Sequence, residues 1–150
     1  MKKHILPILA IVGIAVMLVA NSASADSGTE LRASIPFDFT VGKTLMPAGQ
    51  YTVRTDHIGS GVLCIEARDG GRPVMIMTNT AYAAHSKNES SLVFQRYGNQ
   101  YFLSKVWTVG SDIGCELIKT RAEREIDRAY RLAKSTEPVQ TVTIAAVGSR

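Results

Sequence analysis

Two histidines, two cysteines and a scatter of carboxylates are the side chains of the 150-residue chain best suited to chemistry once its first residues are set aside. His57 follows Asp56, and His85 precedes Glu89 by four positions. A metal site needs several such ligands clustered, and no spacing here matches a zinc pattern. Both histidines read as loop residues in water, so neither a metal nor a cofactor is expected. A serine hydrolase needs a nucleophile beside a histidine and an acid, and neither G-x-S-x-G nor S-x-x-K occurs. Asp38, Asp56, Glu66 and Asp69 offer no pair that spacing alone selects for glycoside cleavage. Gly59-Ser-Gly61 and Gly70-Gly71 open no helix, so they read as turns rather than phosphate loops. Asn88-Glu-Ser90 has the form of a glycosylation acceptor, which matters only in a eukaryotic secretory pathway. No catalytic residue is assigned. The rival reading is a small secreted hydrolase with a dispersed site using His57 or His85.

Aromatic side chains are the other candidates. Leu92 to Trp107 holds two apolar runs around Gly98-Asn99, a dipeptide suited to a tight primed turn. A two-residue loop sets Tyr97 opposite Gln100, Phe94 opposite Leu103 and Leu92 opposite Lys105. Leu92, Phe94, Tyr101, Leu103 and Trp107 then share one face, and Val93, Tyr97, Phe102 and Val106 the other. Both faces are apolar, so both must be covered. A one-residue bulge at the turn would re-pair the strands. Core packing is the default for such rings. Any ligand platform would draw on Tyr101 and Trp107 with His57 and His85.

Lys2 and Lys3, the apolar run Ile5 to Ala20 and Ala23-Ser-Ala25 have the form of a cleaved secretory signal, with Asp26 the first mature residue. A retained membrane anchor is the lesser alternative. No second apolar run approaches spanning length, so no stable membrane span is expected after cleavage. Removal of Lys2 and Lys3 halves the formal net charge of +4. Without a basic stripe, no nucleic-acid partner is expected. Export makes Cys64 and Cys115 a disulfide candidate, with two buried thiols as the alternative. The absence of C-x-x-C removes a thioredoxin-like reading.

The elements that must position these groups are short strands. Leu31–Val41 alternates, with Ile35, Phe37, Phe39 and Val41 on one side and Pro36 marking an edge or a strand start. Gly42 to Met46 is a connector. Strands follow at 50–56, 62–68 and 73–79, and Ala81–Ser90 reads as a mobile loop. Gly110 and Gly114 bracket a turn before a short strand at 115–119. Thr120-Arg-Ala-Glu123 is a capping box for a helix at 121–134 whose apolar face is Ile126, Ala129, Tyr130 and Ala133. A last strand covers 139–147. Turn signals every 8–12 residues or so favour a mainly β fold, an antiparallel sandwich or small barrel with one late helix, as a single domain over 26–150.

Several strings carry a resemblance: Ile35-Pro-Phe-Asp-Phe-Thr-Val-Gly42, Met46-Pro-Ala-Gly-Gln-Tyr-Thr-Val53, Leu92-Val-Phe-Gln-Arg-Tyr-Gly98, Tyr101-Phe-Leu-Ser-Lys-Val-Trp107 and Arg121-Ala-Glu-Arg-Glu125. Together they resemble a family of small exported β-rich proteins abundant in acidobacterial-type soil bacteria, over most of the mature chain. The resemblance implies a periplasmic or secreted β-protein and transfers no activity or catalytic residue. It leads one to expect polar or aliphatic residues at 64 and 115, so a disulfide there would be peculiar to this chain. The expected function is a non-enzymatic binding or structural module of the bacterial envelope, its partner an envelope protein or a glycan.

Overall fold

The computed structural model describes residues 28–55, 61–133 and 138–148. The expected leader at 1–25 and His57 lie outside the described residues. The chain runs β1 (Thr29–Ile35), β2 (Phe39–Val41), β3 (Thr44–Met46), β4 (Gly49–Thr55), β5 (Val62–Ala67), β6 (Val74–Tyr82), β7 (Ser90–Tyr97), β8 (Gln100–Trp107), β9 (Ile113–Leu117), α1 (Arg121–Leu132) and β10 (Gln140–Gly148). The sheet order is β3-β2-β8-β7-β10-β1-β4-β5-β6-β9, and a further β8–β9 pairing closes the ring. Eight strands form an antiparallel barrel, with β2 and β3 as an added ribbon. Closure removes the unpaired edges that an open sheet of this size would leave.

Alternation builds the wall. In β1, Leu31, Ala33 and Ile35 point inward and Arg32 and Ser34 outward. In β4, Tyr51, Val53 and Thr55 point inward. Pro36 follows Ile35, the last residue of β1, which pairs with Gly49 of β4, while β10 reaches β1 only at Leu31 and Arg32. The proline therefore ends a strand rather than starting one: it has no N–H to donate, and the ladder stops one residue before it. Phe37, Phe39 and Val41 still join the core, as the alternation of 31–41 requires. The connector after Val41 folds back as β3 through the turn Gly42-Lys43, where Gly42 takes φ +61°.

The 92–107 hairpin forms with the two-residue turn, Tyr97 opposite Gln100 and Phe94 opposite Leu103. A register shift between Val93 and Phe94 then pairs Leu92 with Val106 rather than Lys105. This bulge lies mid-strand, not at the turn. It exchanges the faces of the last residues of β8: Val106 enters the core with Leu92, Phe94 and Leu103, and Trp107 turns out of it. The outer face is covered as its apolarity demands. Tyr97 and Phe102 meet Tyr130 of α1 through an edge-to-face chain of rings, with centroids 5.7 Å and 5.8 Å apart.

The segment after β6 is shorter and more tied than a mobile loop at 81–90. β6 continues to Tyr82 because its last residues pair with β9, and Ala83 and Lys87 donate backbone N–H groups to Asp112 and Ser111. Gly114 lies within β9, opposite Trp107, rather than in a turn.

Cys64 and Cys115 are free, which corrects the disulfide expectation. Leu63 and Ile65 fill the core on either side of Cys64, so alternation sends its thiol to the outer face, whereas Cys115 is a buried member of the core. Two sulfurs on opposite faces of one sheet wall cannot meet.

Candidate functional site

Of the residues singled out for ligand binding, Tyr101 and Trp107 do not converge. His85 is exposed in the 83–89 connection. Trp107 is buried behind Lys87, whose Nζ lies 4.8 Å from the ring centroid. Tyr101 is half-buried and stacks on Phe37 at 3.9 Å, with the Arg96 guanidinium 5.5 Å from its ring. Tyr101 and Trp107 lie six residues apart on β8, about 20 Å at the ordinary strand rise, on opposite faces. Among the described residues no three His, Cys, Asp or Glu side chains group as metal ligands. No helix among them is long and apolar enough to cross a membrane.

At the centre of the barrel Phe39, Val41, Val53, Leu63, Ile65, Leu92 and Phe94 are wholly buried. The concave surface lies outside. A groove of about 510 Å³ runs between the Gly42-Lys43 turn, β8 and the first turn of α1. Phe102 and Ala122 give it an apolar floor, Thr40 and Thr120 offer hydroxyls, and Lys43, Arg121 and Glu125 stand at the rim. Arg121 and Glu125 form an exposed i,i+4 pair at 3.0 Å. Such a pair contributes a few tenths of a kcal/mol and opens easily.

Beneath the groove, α1 is fastened by polar groups. Its barrel-facing stripe is Glu123, Ile126, Asp127 and Tyr130, while Ala129 and Ala133 are exposed. The face is thus rotated from the apolar stripe expected, because polar partners wait on the barrel. Lys119 Nζ donates to the Tyr97 hydroxyl at 3.1 Å and to Asp127 Oδ2 at 3.4 Å. Asp127 also accepts from Arg131 at 3.2 Å. Thr120 caps the helix by accepting the Glu123 N–H at 3.2 Å. The four-residue spacing of Glu123 and Asp127, with Tyr130 three further on, is the signal in the sequence that marks this face.

Electrostatics here favour anchorage over catalysis. Burial alone would lower the Lys119 pKa, but the Tyr97 hydroxyl and the Asp127 carboxylate outweigh it and the ammonium is held charged. A lysine acting as base or nucleophile needs the opposite shift. Burial raises the Tyr97 hydroxyl, which stays protonated. Asp127 is net lowered: its burial is outweighed by Arg131 and Lys119.

Burial raises Glu123, aided by the Asp127 charge and opposed by Lys119 and the Thr120 backbone. A raised carboxyl holds its proton in the folded chain after the unfolded chain has released it. Stability from Glu123 is therefore complete below the ordinary carboxyl range and falls as pH rises through the raised value. Asp127 acts in the other direction and below the ordinary aspartate range, so the two separate. Glu123→Gln keeps the shape of the side chain and removes the charge. Its chain is expected to lose the decline in stability on the alkaline side of the ordinary glutamate range. Glu123→Ala removes the buried side chain as well and is expected to cost about 1 kcal/mol near pH 4. Urea unfolding at several pH values measures both.

No family model, no curated protein and no solved structure matches the chain.

Proposed function

We propose that this chain is an exported, non-enzymatic protein of the bacterial envelope that binds its partner on the outside of a filled barrel. The observation that carries the reading is the groove at the head of α1, set against a barrel centre built of wholly buried apolar side chains. An apolar floor with hydroxyls on the walls and two cations at the rim suits a polyhydroxylated or anionic chain, such as an envelope glycan. Beneath the helix Lys119 is held charged and Asp127 ionised, and with the Tyr97 hydroxyl they bind the helix in place. The leader pattern at 1–25 supports export.

The test is made on protein recovered from the cell envelope, whose first residue should be Asp26. Titration with soluble peptidoglycan fragments should shift backbone amides at Lys43, Phe102 and Thr120 to Glu125. Phe102→Ala and Arg121→Ala should each weaken binding about tenfold, the effect of losing one well-placed interface side chain. Turnover of the fragments, or shifts confined to another face, would overturn the reading.

A further inference from the structure

The outer face of β5 and β6 carries three sulfur-bearing side chains at neighbouring register positions. Along β6, Val74 and Ile76 lean on the core, while Met75 and Met77 are 70% and 72% exposed. The β5–β6 register sets Met75 directly opposite Cys64, and Met77 opposite Val62. Cys64 points outward between the buried Leu63 and Ile65. Directly opposed side chains on one face of an antiparallel pair start roughly 5 Å apart at Cβ. Met75 and Met77 are two residues apart on the same face, roughly 7 Å along the strand. A methionine side chain has three rotatable bonds, so both thioethers can swing to a common point beside the Cys64 sulfur.

The surroundings suit one kind of guest. Across β5 from Met75, Arg54 is opposite Cys64 and is answered by Glu66 at 3.0 Å. On its other edge β6 pairs with β9 only from Thr78 onward, so among the described residues no strand flanks Met75 and Met77 there. The approach to the two thioethers is open, while the Cys64 thiol is half-buried beside the Arg54 guanidinium. One thiol and two thioethers form a soft donor set, which selects a soft ion such as Cu(I) over zinc, calcium or magnesium. On binding, a Cu–S bond forms to each sulfur and the Cys64 thiol releases its proton to water. The thiolate and the monovalent ion then cancel in charge, which leaves the Arg54–Glu66 pair undisturbed.

We infer that Cys64, Met75 and Met77 form a three-sulfur surface site for Cu(I).

The full chain is titrated with Cu(I) under anaerobic conditions against a chromogenic Cu(I) chelator, and with Ag(I) while the methionine methyl signals are followed by NMR. One Cu(I) per chain should be retained. Ag(I) should shift the Met75 and Met77 methyls and leave the buried Met46 in place. Cys64→Ser, and the pair Met75→Leu with Met77→Leu, should each weaken Cu(I) binding about 100-fold, because each removes donors the soft ion requires. Cys115→Ser should change nothing, since that thiol lies inside the barrel. Bound Cu(I) should also protect Cys64 of the native chain from alkylation. All four positions can be checked for folding by circular dichroism, and leucine keeps the apolar volume at 75 and 77. Binding equal in the wild-type chain and the Met75→Leu/Met77→Leu chain would overturn the site, as would Ag(I) shifts that spare both methionines.

Discussion

Gly114→Ala is expected to cost about 3 kcal/mol and to lower the melting temperature by about 10 °C, the upper end of what overpacking does. A Cβ built on Gly114 lies 2.5 Å from Trp107 Cε3, 2.6 Å from the Val106 carbonyl oxygen and 2.9 Å from Trp107 Cζ3. Two of these neighbours belong to a ring and one to backbone, and neither can retreat freely. Val106 and Trp107 are the β8 residues that pair with Cys115 and Gly114 to close the barrel. Moving the carbonyl breaks that short ladder, and swinging the ring out removes it from beneath Lys87. Gly110→Ala is the internal comparison. Gly110 has φ +77° with nothing within 4 Å of a new Cβ, so it should lose only about 1 kcal/mol, the cost of a left-handed backbone. Trp107→Leu should absorb part of the Gly114→Ala penalty, since partners in contact are not additive. Chemical unfolding of the native chain, the three single variants and the Gly114→Ala/Trp107→Leu chain measures this. A Gly114→Ala chain as stable as the Gly110→Ala chain would refute the close approach at the seam.

Gly114 also shows where sequence reading stops. Glycine in a run of small residues looks like a turn, and only the neighbouring strand reveals that it makes room for an indole. Local patterns were legible because local physics sets them. Period-two alternation located the strands, Gly98-Asn99 the hairpin turn, and Thr120 with Glu123 the start of α1. Non-local facts were not. Barrel closure depends on β6 pairing with β5 along its first half and β9 along its second, and on β8 being shared by β2 and β9. Nothing in 74–82 announces that change of partner. The bulge in β8 is equally silent, yet it decides that Val106 rather than Trp107 enters the core. The helix face was misplaced because Glu123 and Asp127 are carboxylates, which reads as solvent-facing until Lys119 and Tyr97 are known to lie beneath. The groove followed the same rule: Thr40, Phe102 and Thr120 are far apart in the chain, and none carries chemistry that spacing alone would flag.

Phe94→Ala should be the most damaging truncation of the core, about 4–5 kcal/mol, a loss comparable with the whole stability of many domains. The side chain is wholly buried and is the hub of the aromatic cluster. Its ring meets Phe37 edge-on at 5.2 Å and Phe39 edge-on at 5.4 Å. Phe39 continues to Tyr51 at 5.1 Å, and Phe37 stacks on Tyr101. Phe94 therefore joins the barrel wall at β7 to the β1–β2 connection and, through Phe39, to β4. Edge-to-face pairs add roughly 0.5–1.5 kcal/mol each beyond area burial, which places this site above an ordinary Phe→Ala change. The closed wall decides what happens next. Strands hydrogen-bonded on both sides cannot close in on the missing ring, so the void should persist, lined by apolar groups and dry. Benzene or xenon should then raise the melting temperature of the Phe94→Ala chain and leave the native chain unmoved. Phe94→Leu should recover more than half of the loss by filling most of the volume. If the alanine chain loses less than about 2 kcal/mol and takes up no benzene, the core has collapsed onto the site, and the ribbon of β2 and β3 rather than Phe94 would be what holds the interior open.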